Sequence, residues 1–170
     1  MAFGLSSHEL EGFPLPLELK IPWKRTSIAI VDDNIGWRRT VRSMVSSFGV
    51  TEITEATDGS DFLTKIEKQN SDVDLLLIDD EMLPMDGFVL MTSLRTKARE
   101  PLRRTTALLM AGQNSADIAR RAQEAGYNGV LAKPFSAREL DAAAQRTLLA
   151  PVQWREEKGF LRPVLLSPPA

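Results

Sequence analysis

The chain has 170 residues, of which 43% are hydrophobic and 26% are charged, with a formal net charge of −2 and no cysteine. This composition is typical of a globular domain with its own core, and it excludes disulfides, thiol nucleophiles and thiolate metal sites. The single histidine, His8, lies in an irregular N-terminal stretch, so histidine-based zinc sites and Ser-His-Asp triads are not expected.

Three further features concern organisation and location. No apolar run approaches the ~20 residues of a membrane span, and the N-terminus lacks a secretion signal, so we expect a cytoplasmic protein. The small net charge gives no reason to expect nucleic-acid or membrane binding. The prolines predict a domain at residues 26–148 between an N-terminal extension, residues 1–25, and a C-terminal extension, residues 149–170, with no output domain.

Short apolar stretches alternate with helical patterns along the central part of the chain. The predicted strands cover residues 27–31, 51–56, 74–78, 106–110 and 129–132. Apolar residues at helical spacing follow each strand, and the last helix is predicted over residues 137–149. This alternation predicts an α/β fold with a five-stranded parallel sheet and helices on both faces.

Charged side chains follow the predicted strands at their carboxyl ends, where doubly wound sheets bind ligands. Crowded carboxylates repel one another, and a divalent cation relieves this; without His or Cys, oxygen ligands favour Mg²⁺. An aspartate can accept a phosphoryl group when a metal and a lysine neutralise the charge. The residues concerned are Asp32 and Asp33 after strand 1, Asp79, Asp80 and Glu81 after strand 3, and Lys133 after strand 5.

Each of these motifs alone has an ordinary explanation. Asp32 and Asp33 together suit the start of a helix, Asp79 begins what reads as an acidic loop, Asp86 opens a turn, and Lys133 reads as a solvated lysine. Their joint occurrence at the ends of several strands is what favours a phosphoryl-accepting site.

Three segments resemble the response-regulator receiver domain family, in particular its single-domain, chemotaxis-regulator-like members. They are IVDDN at residues 30–34, LLLIDDEMLPMDG at 75–87 and LAKPF at 131–135, and the resemblance covers roughly residues 26–148. It implies the (βα)5 flavodoxin-like receiver fold.

The resemblance also implies roles for individual residues. The family's phosphoacceptor lies eight residues before the glycine of the Asp-Gly turn, which selects Asp79 over Asp80. Asp33 is then the direct metal ligand, with Asp32 as its helper and the Glu81 backbone carbonyl as a third ligand. Lys133 would pair with the phosphoryl group, and its peptide bond to Pro134 is expected to be cis.

The chain departs from the family at its switch positions. The switch Ser/Thr falls on Ala111, which has no hydroxyl, and the switch aromatic falls on Val130, which has no ring. The usual proline lies one place late, at Pro84, with Leu83 in its position. Ser115 is the remote candidate for a substitute hydroxyl. The ordinary two-state switch therefore lacks both of its named side chains.

The leading hypothesis is a single-domain response regulator of a two-component or phosphorelay system. It would accept a phosphoryl group on Asp79 from a histidine kinase or a histidine phosphotransfer protein, with Mg²⁺, and signal through protein contacts to an unidentified target. Beyond its own phosphorylation and dephosphorylation it would not be an enzyme.

Two alternatives stay open. A pseudo-receiver would bind partners independently of phosphorylation. For this alternative and for the leading hypothesis, the resemblance implies the same partner surface, formed by helix 4, strand 5 and helix 5. A Mg²⁺-dependent phosphatase is disfavoured because Glu81 stands where such enzymes place a second aspartate and because no cap domain is predicted.

The remaining aromatic and basic residues have simpler interpretations. Trp37 starts the apolar face of helix 1 and is predicted to be core, close enough to Asp33 to report metal binding. Arg38 and Arg39 are predicted to be solvated. The apolar residues of both extensions are predicted to pack on the domain, leaving a monomer or weak homodimer.

Overall fold

The computed structural model describes residues 20–112 and 115–165, and His8 lies outside them. One parallel sheet has the strand order β2-β1-β3-β4-β5. Its strands are β1 (Ser27–Val31), β2 (Glu52–Ala56), β3 (Leu75–Asp79), β4 (Thr106–Ala111) and β5 (Gly129–Ala132). The helices that alternate with them are α1 (Ile35–Ser47), α2 (Gly59–Gln69), α3 (Gly87–Lys97), α4 (Ala116–Ala125) and α5 (Ala137–Leu149). The predicted five-stranded flavodoxin-like fold is confirmed.

The apolar core lies on both faces of the sheet, as expected for parallel strands covered by helices. All five residues of the central strand β3 are buried. Leu76 and Ile78 belong to one apolar cluster, while Leu75 and Leu77 belong to the other on the opposite face. This run of aliphatic residues places Asp79, the last residue of β3, at the edge of a rigid core.

Strand register brings the charged residues to one edge of the sheet. Val31 pairs with Ile78, and Asp79 pairs with Met110, so the residues after β1 and the end of β3 lie at the same level. The turn into α3 passes close behind this edge. A Cβ atom added at Gly87 would collide with the carbonyl oxygen of Asp79, so the Asp-Gly turn requires glycine for steric reasons.

A two-stranded antiparallel hairpin follows α5, where the sequence predicts only an extension. Its strands are β6 (Val152–Glu157) and β7 (Phe160–Leu165). Lys158 and Gly159 both have positive φ, 51° and 80°, as two-residue hairpin turns of the primed type require. The hairpin contacts α3, and Leu161 is only 1% exposed. The prediction that apolar residues of this extension pack on the domain is therefore confirmed for Leu161.

The described part of the N-terminal extension also packs on the domain. Ile21 is buried, and the Trp23 ring lies 5.3 Å from that of Phe48 and donates a hydrogen bond to Asp141. The other apolar residues predicted to pack there, Phe13, Leu15 and Leu17, lie outside the described residues. Within residues 20–112 and 115–165, no helix has the length and apolar character to cross a membrane.

Candidate functional site

Three aspartates meet at the carboxyl edge of the sheet. Carboxylate oxygens of Asp32, Asp33 and Asp79 all lie within 4.8 Å of one another. Asp32 is completely buried and Asp79 is 6% exposed, whereas Asp33 is exposed. The cluster therefore has an enclosed side and an open side, which suits an ion or substrate arriving from solvent.

Lys133 supplies a cation to this cluster from the end of β5. Its Nζ donates to Oδ2 of Asp32 at 2.8 Å and to Oδ1 of Asp79 at 2.5 Å. The Lys133–Pro134 bond is cis, as the sequence resemblance implies. Three carboxylates and one ammonium carry a net charge of −2 when all are ionised. A divalent cation would balance this charge.

The enclosed position perturbs the titration of both partners. Burial raises the pKa of Asp79 to about 6, opposed by the hydrogen bond from Lys133 and reinforced by the charge of Asp32. Burial lowers the pKa of Lys133, but its hydrogen bonds to Asp32 and Asp79 outweigh this and leave the pKa above its usual value. At neutral pH the pair is therefore ionised, with Asp79 the more easily neutralised member.

The loop after β1 is held by Asp32 itself. The Asn34 backbone N–H donates to Asp32 Oδ1 at 2.9 Å, and the Arg38 guanidinium donates to the Asp32 carbonyl oxygen at 2.7 Å. The prediction that Arg38 is solvated is wrong: it is half-buried because it closes this loop, whereas Arg39 is exposed as predicted. Asn34 also accepts from the Trp37 backbone N–H and so caps α1.

Trp37 forms part of the wall beside the lysine. It is partly buried against the core, as predicted. The Lys133 Nζ lies 5.6 Å from its ring centroid, and the Phe135 ring meets it edge-on at 5.0 Å. Its Nε1 is buried without a hydrogen-bond partner in the part of the chain that the structure describes. The short distance between Lys133 Nζ and the Trp37 ring makes the indole sensitive to any change in the charge of Lys133.

The two switch positions carry small aliphatic side chains in the structure. Ala111 is completely buried, and its carbonyl oxygen accepts from the Lys133 backbone N–H at 2.8 Å. Val130 is half-buried against the core cluster. The Ser115 hydroxyl caps α4 by accepting from the Ile118 backbone N–H, so it already has a structural role.

An open cavity of about 500 Å³ adjoins the aspartates. It is lined by Asp33 and Glu81 among other residues, and Leu83 on its rim is 84% exposed. Arg121 of α4 also lines it, with its guanidinium 4.3 Å from the Phe88 ring. Sequence patterns do not single out Arg121, because only the packing of α4 against α3 brings it to this cavity.

Comparison with known proteins agrees with this geometry. Residues 28–145 match the model of the response regulator receiver domain. The chain is 34% identical over 113 residues to the chemotaxis protein CheY of Pseudomonas aeruginosa, covering 66% of this chain and 88% of that protein. It is 32% identical over 117 residues to CheY-3 of Vibrio cholerae, covering 69% and 87% respectively.

A crystal structure of CheY4 from Vibrio cholerae has the same fold, with a TM-score of 0.65 and 27% sequence identity. The match covers 72% of this chain and 98% of that one. The acidic cluster and the strand order 2-1-3-4-5 lie within the matched region. The chain therefore belongs to the response regulator receiver domain family, which places it among signalling proteins rather than enzymes.

Proposed function

We propose that this protein is a single-domain response regulator that accepts a phosphoryl group on Asp79. The observation that carries the proposal is the hydrogen-bonded contact of Lys133 with Asp79 and Asp32 inside a cluster of three carboxylates. It combines an acceptor oxygen, a cation for phosphoryl oxygens and acidic ligands in one place, which phosphoryl transfer to an aspartate needs.

The two oxygens of Asp79 have different surroundings. Oδ1 accepts from Lys133, whereas Oδ2 has no hydrogen-bond donor among the residues that the structure describes. Oδ2 is therefore the free nucleophile. As its bond to phosphorus forms, the bond between phosphorus and the donor's histidine nitrogen breaks, and Lys133 then neutralises a phosphoryl oxygen.

The acidic cluster fits Mg²⁺, which prefers oxygen ligands and retains several waters. We propose Asp33 and Asp79 as carboxylate ligands, Asp32 as their helper and the Glu81 backbone carbonyl as a further ligand. When bound, the ion would neutralise the charge that builds up on the transferred group. Asp33 is exposed and Asp32 is buried, so the solvent-facing carboxylate is the better placed of the two for direct binding.

The donor in this proposal is a histidine kinase or a histidine phosphotransfer protein in the cytoplasm. The similarity to chemotaxis proteins supports output through contacts with another protein. No DNA-binding or catalytic module lies among the described elements, where only the hairpin of β6 and β7 follows the receiver helices.

A second candidate function is that of a pseudo-receiver, which binds partners regardless of phosphorylation. The absence of a hydroxyl at Ala111 and of a ring at Val130 favours it, because these positions link the site to the surface in the receivers that the chain resembles. The complete acidic cluster and the paired Lys133 favour the phosphoacceptor instead.

Intact-protein mass spectrometry distinguishes the phosphoacceptor function from the pseudo-receiver function. The full chain is incubated with Mg²⁺ and either acetyl phosphate or phosphoramidate, the second of which carries a phosphorus–nitrogen bond. We expect one added phosphoryl group in the wild type and in Asp80→Asn, but none in Asp79→Asn or with a chelator. No adduct from either donor, together with Trp fluorescence unaffected by Mg²⁺, would establish the pseudo-receiver.

A further inference from the structure

We propose that the groove between the C-terminal hairpin and α4 binds an extended, acidic peptide segment of a protein partner. The groove is lined on one side by β6 and β7 and on the other by α4 and the start of β5. The hairpin lies outside residues 28–145, the part that matches the receiver family. The hairpin side of the groove is therefore additional to the receiver match, whereas the α4 and β5 side lies within it, and the proposal does not depend on the phosphoacceptor proposed above.

Two arginines dominate the hairpin side of the groove. Arg155 of β6 and Arg162 of β7 are directly opposite in the antiparallel register, and both line the groove. Like charges placed opposite each other on neighbouring strands destabilise a hairpin. Neither arginine forms an ion pair within the part of the chain that the structure describes, and the guanidinium of Arg162 lies 5.7 Å from the centroid of the Phe160 ring. A bound carboxylate would relieve this repulsion.

Contacts with the domain hold the backbone of the hairpin in place. The Arg103 guanidinium donates to the Gly159 carbonyl oxygen at 2.6 Å and to Glu156 at 3.1 Å. On the same face the Trp154 ring lies 4.7 Å from the guanidinium of Arg95, which is completely buried. Because the inward face of the hairpin is anchored, binding at the two arginines on its other face does not require the hairpin backbone to become ordered, which favours binding.

The rest of the groove suits an extended peptide. Its volume is about 640 Å³, enough for a short segment in extended conformation. Apolar atoms come from Ala119, Val130 and Val164, so a ligand with apolar side chains between its acidic ones would match both parts of the lining. β5 is an edge strand of the sheet, and edge strands offer unpaired backbone groups to such a segment.

Charge selects a peptide over a polyanion. Glu157 lines the same groove, two residues from Arg155 on β6, and has no ion-pair partner within the described residues. The whole chain carries a net charge of −2. A continuous row of phosphates would be repelled by the Glu157 carboxylate and by the net negative charge of the chain. One or two carboxylates bound at the arginines would lie away from Glu157.

A displayed library of random peptides, selected on the immobilised full chain, tests the proposal. The winning peptides are synthesised and titrated against wild type, against Arg155→Gln/Arg162→Gln, and against Arg138→Gln. Arg138 is an exposed arginine of α5, outside the groove and without an ion pair among the described residues, and is a matched control. A cooperative thermal unfolding transition and an unchanged far-ultraviolet circular dichroism spectrum verify that each variant is folded.

We expect winning sequences in which Asp or Glu alternates with apolar residues. Their affinity should fall at least tenfold in the double variant, stay unchanged in Arg138→Gln, and fall when Asp and Glu of the peptide are replaced by Asn and Gln. Enriched peptides without acidic residues, or equal binding by the double variant, would overturn the proposal. So would arginine-dependent binding of duplex DNA or anionic vesicles with no acidic peptide selected.

Discussion

The Lys133 ammonium lies 2.5 Å from Asp79, a residue 54 positions earlier in the chain, and 2.8 Å from Asp32, which is 101 positions earlier. One cation thus joins the carboxyl ends of β1, β3 and β5. Removing it would leave the buried carboxylates without compensation, and breaking a buried pair by deleting one partner is strongly destabilising.

Substituting Lys133→Met should therefore lower the free energy of unfolding by about 3 kcal/mol in metal-free buffer. Urea denaturation measures the loss. Mg²⁺ should restore more stability to this variant than to the wild type, because the ion takes over the neutralisation of Asp32 and Asp79. Equal effects of Mg²⁺ on both proteins would contradict a metal site at these aspartates.

Asp79 should make the metal-free protein less stable as pH rises. Burial raises its pKa in the folded state to about 6 from the usual 3.8, so the folded protein binds more protons between these values than the unfolded chain. The cost of ionising Asp79 is then absent below about pH 4 and complete above about pH 6.

Asp79→Asn removes this cost while an amide oxygen still accepts from Lys133. Without metal, at about pH 7.5, we expect the free energy of unfolding of the variant to exceed that of the wild type by about 1 to 3 kcal/mol. The advantage should shrink towards about pH 4.5. Thermal melting across this range in a chelating buffer measures it, and an advantage that grows on acidification would show that Asp79 is not the titrating group.

Trp37 should report metal binding. Its ring centroid lies 5.6 Å from Lys133 Nζ, so a cation entering the aspartate cluster changes the electrostatic field at the indole. We expect a saturable, Mg²⁺-dependent change in fluorescence that Trp37→Phe abolishes. Trp23→Phe is the matched control, because Trp23 packs against Phe48 and Asp141 instead. The signal should also vanish in Asp33→Asn.

Arg95 should be one of the most sensitive positions for stability. Its buried guanidinium donates to the carbonyl oxygens of Gly126, Arg103 and Thr105 at 2.9, 2.7 and 2.8 Å, and burial lowers its pKa to about 9. Arg95→Met would leave these carbonyls unpaired and should cost roughly 3 kcal/mol or more.

The same variant should loosen the hairpin, because Trp154 packs over this guanidinium at 4.7 Å. Hydrogen exchange of the β6 and β7 amides should accelerate more than that of β1 to β3. Arg104→Gln, an exposed neighbour whose guanidinium is 5.9 Å from the same ring, should change stability by less than about 1 kcal/mol.

Local patterns were sufficient to predict the sheet and to place the charged residues together at one edge of it. The run LLLID suits a central strand covered on both faces, and five parallel strands bring the acidic residues after β1 and at the end of β3 to the same edge of the sheet as Lys133. Strand ends in such a sheet converge whatever the details of packing, which is why residues 101 positions apart could be expected at the same edge of the sheet.

Other features depended on tertiary contacts. Arg38 closes the Asp32 loop, and Arg121 reaches the acidic cavity. Arg95 joins α3 to Thr105, directly before β4, and to Trp154. None of these contacts follows from helical spacing. The hairpin was missed because its prolines suggested an irregular extension, although Pro163 is tolerated in a two-stranded sheet where every strand is an edge. The sequence by itself determined, to within one residue, where the strands end and which charges stand there, because both are local properties. Only the folded structure decided which long side chains cross between elements, because their reach depends on how helices pack.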